Sequence, residues 1–420
     1  MNMQRTLGLS LVALALAATY GCGKKEEPKK EEPKKAEAPA QPEAVVKIGH
    51  VGPLTGGIAH LGKDNENGVR LALDEANAKG LVIDGKKIKF ELVGEDDQAD
   101  PKVGTTVAQK LVDAKVAGIV GHLNSGTIPA SAIYNQAGIP FISGSATNPK
   151  VTEQGFKVAF RTVGRDDQQG PAIASYLATT SKVKTVAIVD DATAYGKGLA
   201  DEVEKTLKGA GVKIVANEHG TDKTTDWKAV LTKLKGKKPD AVFYGGMDAT
   251  AGPMVKQAKE LGIKVQFAFG DGACTDEMSK LAGPAAEGLL CSQAGIPTQA
   301  ASKAFLDAFK GKYGDVKQYA PFTYDAANLL IAAMQKANST DPAKYLPSLQ
   351  AISYDGASGH IEFDAKGDRK NAEMTIFEMK NGKVEPIAII KDGKTQVLAA
   401  APAAPAMAPA APAPAEAPKK

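Results

Sequence analysis

From Val45 onward the chain alternates short β-branched runs with longer helical patterns, and this restricts it to parallel sheets flanked by helices. VVKIGHVGP ends at Gly52 and Pro53, and the segment up to Gly80 places Val69, Ala72, Leu73 and Ala76 at helical spacing. IKFELVGED, a helix with Val103, Val107 and Leu111 on its apolar edge, AGIVG and PFISG complete one lobe. After KVAFRTVG, Asp166 and Asp167 lead a helix through Tyr176. TVAIVDD, KIVANEH, DAVFYGG and VQFAFGD then repeat the pattern, which suggests duplication. The helices SKAFLDAFKGKYG and APFTYDAANLLIAAMQKA read as a return to the first lobe. GHIEFD, and the hairpin of MTIFEMK and KVEPIAII turned at Asn381 and Gly382, are assigned to the second. The expected fold is α/β, with two doubly wound parallel-sheet lobes joined by a multi-crossover hinge. Lobe 1 takes residues 45–164 and 291–357, and lobe 2 takes 165–290 and 358–397.

In such sheets a ligand sits outside the carboxyl ends of the strands. Between Gly121 and Pro149 two strand ends open directly into polar, glycine-rich turns, one carrying Asn124, Ser125 and Thr127, the other Ser145, Thr147 and Asn148. Pro129 marks the first turn of a helix, whose unpaired N–H groups favour an anion in front of it. With no lysine or arginine in the stretch, a small zwitterion suits it better than a polyphosphate. The polar strand ends of the first lobe are Thr55, Asn124, Ser125, Ser145 and Thr147. Those of the second are Asp190, Asp191, Met247, Asp248 and Asp271. Donors on one side and carboxylates on the other match the poles of an α-amino acid. Asp166 and Asp167 read as helix N-terminal charges, and His50 and His122 as core or turn residues.

The ends of the chain carry different information. Residues 1–21 hold Arg5 and the apolar run LGLSLVALALAA, an export signal too short to span a membrane comfortably. The sequence Gly21-Cys22 resembles a bacterial lipoprotein signal, in which the cysteine is lipidated; the alternative is an ordinary secretory signal cut nearby. Residues 22–44 repeat charged, proline-containing pentapeptides with no apolar face, as a solvated tether would. Residues 398–420 form an alanine and proline tail read as flexible. With Cys22 lipidated, Cys274 and Cys291 remain as an even pair in an exported protein, and a disulfide between them is expected. The location implied is periplasmic, with a lipid anchor at Cys22.

The phrases GHVGPLTGGIAHLGKDNENGVRLALDEANAKG, GHLNSGTIPASAIYNQAGIPFISGSATNP, RTVGRDDQQGPAIASYL, ATAYGKGLADEV, DAVFYGGMDA and AAEGLL together resemble the leucine/isoleucine/valine-binding proteins of bacterial ABC importers. This is the type I periplasmic binding-protein family, and the likeness runs from Val45 to about Ile390. The resemblance implies that Ser125 and Thr147 bind the amino acid's carboxylate and ammonium, with a backbone group of Ser145 beside them. It places Tyr195 in the second-lobe wall and gives the ammonium to Asp271, where many relatives carry glutamate. Leu61 stands where relatives often have an aromatic, and Met247 and Asp248 stand near a usual tyrosine. The wall they form is smaller and more acidic, and Asp248 would favour a polar or cationic amino acid. The cysteine pair that the family places near the first-lobe site is replaced by Gln98 and Asn124.

Function classes are narrowed by what is missing. The chain has 420 residues, 43 % hydrophobic and 24 % charged, with a net charge of +4 spread rather than striped and 5 % aromatics, which does not favour nucleic acid. GxSxG, HExxH and GxGxxG do not occur, and GLVIDGKK departs from a P-loop at Lys87, so Asp84 and Gly85 read as a hairpin turn. No enzyme, metal or cofactor is expected. The reading is a monomeric capture protein that closes around an amino acid and presents it to an inner-membrane ABC permease. Its rival is a ligand-sensing module for a membrane receptor.

Overall fold

β1 (Glu43–Gly52) is exposed at its start and buried over its last residues, as befits a strand running into the middle of a parallel sheet. It opens the computed structural model's description of the chain, which covers residues 42–123, 126–391 and 394–398, all within the compact unit Gln41–Lys420. Asn124 and Ser125, together with Cys22, the signal, the tether and the tail beyond Leu398, lie outside the described residues.

The chain then runs through α1 (Ala59–Lys79), β2 (Val82–Ile83), β3 (Lys86–Asp96), α2 (Pro101–Asp113), β4 (Gly118–Gly121), α3 (Thr127–Ala137), β5 (Phe141–Ser143) and β6 (Ala159–Arg161). Local chemistry sets these boundaries. Gly80 ends α1 in the left-handed region, and Asp100 caps α2 by accepting from the N–H groups of Lys102 and Val103, ahead of Pro101. Asp84 and Gly85 both have positive φ and turn β2 into β3 as an antiparallel pair. The six-stranded sheet has the order β2-β3-β1-β4-β5-β6 and is otherwise parallel.

A second sheet follows. Its elements are α4 (Asp166–Thr179), β7 (Thr185–Asp190), α5 (Ala194–Gly209), β8 (Lys213–His219), α6 (Lys228–Lys237), β9 (Ala241–Gly245), α7 (Asp248–Glu260), β10 (Gln266–Phe269), α8 (Glu277–Ala282) and β11 (Leu290–Gln293). Cys274 and Cys291 are joined by a disulfide, and Cys291 lies in β11. Next come α9 (Lys303–Tyr313), α10 (Ala320–Lys336), α11 (Pro342–Gln350), β12 (Ser353–Gly356) and β13 (Gly359–Glu362). The described chain finishes with β14 (Met374–Lys380), β15 (Lys383–Lys391) and β16 (Lys394–Val397), giving an eight-stranded order β16-β15-β14-β11-β10-β9-β7-β8.

Two boundaries differ from the expectation. Cys291 to Gln293 pair with β14 in the second sheet rather than opening the return to the first lobe. The GHIE strand pairs only with β12, and Ile361 and Phe363 are buried in the first-lobe core with Leu329, Leu330 and Tyr345. A short strand's pattern shows that it has a buried face but not which sheet covers it, so 358–363 was assigned to the wrong lobe. The three passages between lobes therefore follow β6, β11 and β13. They are tied together: Gly164 N–H donates to Ala294 O, Arg369 donates to Thr162 O, and Thr375 Oγ1 donates to Gly295 O.

The return passage is anchored by one carboxylate. Asp64, buried on α1, accepts from the backbone N–H groups of Lys317, Gln318, Tyr319 and Ala320 at 2.8 to 3.0 Å. Burial pushes its pKa up, and the four N–H donors pull it back. It therefore acts as an N-terminal cap for α10, supplied from another part of the chain. Asp64→Ala should destabilise the protein by about 2–4 kcal/mol, because it strands buried N–H groups. Urea unfolding checks this, and a loss within experimental error would show that α10 is capped by other means.

Candidate functional site

The first-lobe wall is built at the ends of β4 and β5. His122 is buried, with Nδ1 3.1 Å from Asp97 Oδ2 and Nε2 2.7 Å from Tyr134 Oη, so the ring fixes the chain just before Asn124. Ser143 Oγ donates to His122 O and accepts from Ala146 N–H, holding the two turns side by side. Ser145 is fully buried and accepts from Asn65 Nδ2 at 3.1 Å. Thr147 is buried too, and its Oγ1 has no hydrogen-bond partner. Placement of Ser125 and Asn124 in this wall is not described.

The second-lobe wall gathers around Asp271, which follows β10 and is completely buried. Its Oδ1 accepts from Tyr195 Oη at 2.7 Å and Gln169 Nε2 at 3.0 Å, and its Oδ2 accepts from Tyr319 Oη at 2.7 Å. Gln318 Nε2 donates to its backbone carbonyl at 2.7 Å, and Tyr195 Oη in turn accepts from Gly272 N–H. Burial raises the Asp271 pKa, and the hydroxyl and amide donors moderate the rise. Tyr195 can reach it because α5 lies directly on β9: a Cβ on Gly196 would collide with the Gly245 carbonyl and the Asp191 carboxylate, which is why glycine follows this tyrosine. Thr193 caps the same helix by accepting from Gly196 N–H at 2.9 Å.

A second carboxylate lies in the same chamber. Asp166 is fully buried at the start of α4, its N–H donates to Thr147 O at 2.9 Å, and neither carboxylate oxygen has a hydrogen-bond partner. Burial and the neighbouring Asp271 charge push its pKa well up. Thr147 Oγ1 and Arg161 are near enough to moderate its charge, although the threonine hydroxyl makes no well-formed bond to it. Arg161 directs its own N–H groups to Asp368, Ala146 O, Asn148 O and Thr152.

Apolar walls complete the chamber. Ile58, Leu61, Leu123, Val163, Tyr319 and Phe322 form a buried cluster, with Met247, Ala249 and Ile296 packed against it from the other side. Outside it a cavity of about 630 Å³ opens between the lobes, lined by Ile58, Leu123, Met247 and Ala249 and carrying Lys150, Asp191, Asp222 and Lys223 among its polar residues. Asp248 is fully buried: its Oδ2 is 2.8 Å from His60 Nε2 and 2.6 Å from Thr275 Oγ1, while its Oδ1 has no hydrogen-bond partner among the described residues. Asp190 pairs with the exposed ring of His219. Hydrogen bonds thus join Tyr195, Gln169, Gln318 and Tyr319 to Asp271, Asn65 to Ser145 and Asp166 to Thr147, while Leu61 and Met247 meet in the cluster that holds Tyr319; of these only Met247 lines the cavity. The RTVGRDDQQG phrase contained the signal for Asp166 and Gln169; the others depend on the chain's return to the first lobe or on the packing of α1.

A model of the periplasmic binding protein family matches residues 45–383. Curated relatives include a leucine-, isoleucine-, valine-, threonine- and alanine-binding protein of Pseudomonas aeruginosa, 35 % identical over 79 % of this chain and 89 % of that protein. A leucine-specific-binding protein of Salmonella typhimurium is 36 % identical over 79 % and 90 %. Among solved structures, a branched-chain amino acid transporter substrate-binding protein of Streptococcus pneumoniae in complex with isoleucine superposes with a TM-score of 0.75, at 32 % identity over 83 % of this chain and all of that one. A leucine-binding protein of Thermotoga maritima gives a TM-score of 0.77 at 29 % identity, over 83 % of this chain and 99 % of that one.

The His60–Asp248 pair crosses the cleft from α1 to α7, so it contributes only when the lobes are together. Burial pushes the His60 pKa down, but the hydrogen bond and charge of Asp248, helped by Glu277 and Asp64, outweigh that and leave it raised. The pair's full contribution is present below the ordinary imidazole value of 6.5 and is lost as pH rises through the raised one. His60→Gln should therefore lower the melting temperature more at about pH 5.5 than at about pH 8.5. Equal losses at both would mean that the pair acts as a neutral hydrogen bond.

Proposed function

The chain belongs to the periplasmic binding protein family, and on that premise we propose that it captures an amino acid, branched-chain or related, between its lobes and delivers it to an ABC importer. The observation that carries this reading is the polarity of the closed chamber. Serine and threonine groups at strand ends face one part of it, two buried carboxylates face another, and apolar side chains line the space beside them. A carboxylate needs donors and an ammonium needs acceptors, while the side chain needs an apolar wall. We assign Ser125, Ser145 and Thr147 to the carboxylate pole, with Asn124 adjoining. The acid end, with Tyr195, takes the ammonium, and Leu61 and Met247 take the side chain. Asp248, paired to His60 and Thr275, serves closure rather than a cationic side chain.

Binding and closure are one equilibrium. Charge-assisted hydrogen bonds contribute roughly 1.5–3 kcal/mol each, so the first lobe alone can hold the ligand while the cleft is open. Contacts to the second lobe exist only when it is shut, and that difference in affinity shifts the population. The closed shape is what a permease would recognise. Export by the 1–21 signal, anchoring through Cys22 and a monomeric state complete the proposal. A disulfide at Cys274 and Cys291 fits an oxidising compartment.

Mass spectrometry of ligand copurifying with the full chain, followed by a thermal-shift panel of amino acids and calorimetry, tests the assignment. Leucine, isoleucine or valine should raise the melting temperature and bind with one site per chain. Failure of every amino acid in the panel would overturn it.

A further inference from the structure

The three passages between the lobes border a second cavity, of about 320 Å³, that shares no lining residue with the cavity between the lobes. Thr162 and Gly164 come from the first passage, Gly295 and Ile296 from the second, and Arg369 and Ala372 from the third. His360 and Glu362 of β13 bound it on the side of the first lobe, and Lys391 at the end of β15 bounds it on the side of the second. Its shape therefore depends on the angle between the lobes, because hinge passages are where that angle is set.

The main-chain acceptors of this wall are taken, and several of its donors are not. Thr162 O, Ser358 O and His360 O accept from the Arg369 guanidinium, Gly295 O from Thr375 Oγ1, Ala294 O from Gly164 N–H and Ile296 O from Gln293 Nε2. The main-chain N–H groups of Gly295, Ile296, Asn371 and Ala372 have no hydrogen-bond partner among the described residues. Charge follows the same sign. Lys370 pairs with Glu362 at 3.2 Å and Lys391 with Glu373 at 2.8 Å, whereas Arg369 bonds only to uncharged oxygens, the fourth being Ser358 Oγ. Burial pushes the Arg369 pKa down, and the charges of Asp325 and Glu373 offset that only in part. Asp325 is itself engaged by Ala357 N–H and by the N–H and hydroxyl of Ser358. A group that completes this wall accepts hydrogen bonds and carries negative charge. Ala294, Ile296 and Ala372 offer an apolar surface beside it.

We propose that this hinge cavity is a second ligand site, which takes a small organic carboxylate through Arg369 and the free N–H groups and thereby favours the closed lobes. The lobes are together in this structure, joined through Asp271 and the His60–Asp248 pair, so an occupant that fits the cavity as it stands fits the closed hinge. Preference for one hinge angle shifts the population toward it, and the effects of the two ligands on each other are reciprocal. The coupling rests on the amino-acid reading above, whereas the hinge site itself does not.

Succinate is the probe, titrated by calorimetry into the full chain at an ionic strength held constant with sodium chloride. Titrations run without and with the amino acid that gives the largest thermal shift. Succinate should bind once per chain, and each ligand should tighten the other by the same factor of about 5 to 10. Arg369→Gln should weaken succinate by about 10-fold, the size of a lost charged contact. Ala372→Leu, which adds bulk to the cavity wall and leaves its polar groups in place, should weaken succinate at least as much while amino-acid affinity in chloride alone stays unchanged. Absence of succinate binding, or binding that both variants leave intact, overturns the proposal. Competition with the amino acid overturns it too, because succinate would then sit between the lobes, and so does binding without mutual tightening. Should Arg369→Gln fail to fold, Ala372→Leu decides alone. If no amino acid binds, the functional reading falls with the coupling, and succinate titration of the wild type and the variants still decides the hinge site.

Discussion

The closed arrangement depends on the hydrogen bonds that Asp271 accepts across the cleft. A fully buried carboxylate is tolerated only when donors replace the water it has lost, and here those donors come from both lobes: Tyr195 and Gln169 from one, Tyr319 from the other. Separating the lobes breaks the Tyr319 bond and the Gln318 bond to the carbonyl, but it also lets water reach the acid. The opening is therefore inexpensive for Asp271, and the closed state is favoured only by the balance of many such exchanges. A balanced equilibrium of this kind is what a ligand of modest intrinsic affinity can tip.

Positioning those donors falls to residues far from the ligand. Tyr319 and Gln318 sit just ahead of α10, where Asp64 of α1 gathers the backbone N–H groups of 317–320. The same helix packs Leu329, Leu330 and Ala333 into the first-lobe core. A shift of α10 would move both cross-cleft donors together, so the core of one lobe sets the geometry around Asp271. On the other side, close approach of Gly196 to Gly245 fixes Tyr195 with equal economy. At the far rim His60 and Asp248 supply a second tie, and Asn148 Nδ2 donates to Ala194 O as a third.

Much of this was legible in the sequence where local chemistry decides it. The parallel sheets, the Asp84-Gly85 and Asn381-Gly382 turns, and the polar ends of the strands before Ser145, Asp248 and Asp271 follow from periodicity and turn residues. Asp166 and Asp167 stand in the first turn of α4, as the sequence implies, but in different surroundings. Both are helix N-terminal acids; Asp167 pairs with Arg165 toward the surface, whereas Asp166 is fully buried. Nothing local distinguishes Asp167 from Asp166; the difference is the backbone bond to Thr147 that turns one of the two inward. Tyr319, Gln318 and the His60–Asp248 pair were invisible because they join segments up to 188 residues apart. The same limit applies to β13, whose alternation showed a buried face but not the core that buries it.

Closing contacts and apolar wall are carried largely by different residues, and this bears on how such a cleft could acquire a new ligand. Here closure runs through Tyr195, Tyr319 and the His60–Asp248 tie, none of which needs an ammonium to form. Under the proposed reading the ligand's side chain would meet Ile58, Leu61, Leu123, Met247 and Phe322, which pack in one apolar cluster. Tyr319 belongs to both the apolar wall and the closing contacts, but Leu61 and Met247 take no part in the Asp271 bonds or the His60–Asp248 tie. Ligand preference can then drift through Leu61 and Met247 while the closed shape offered to a membrane partner stays the same.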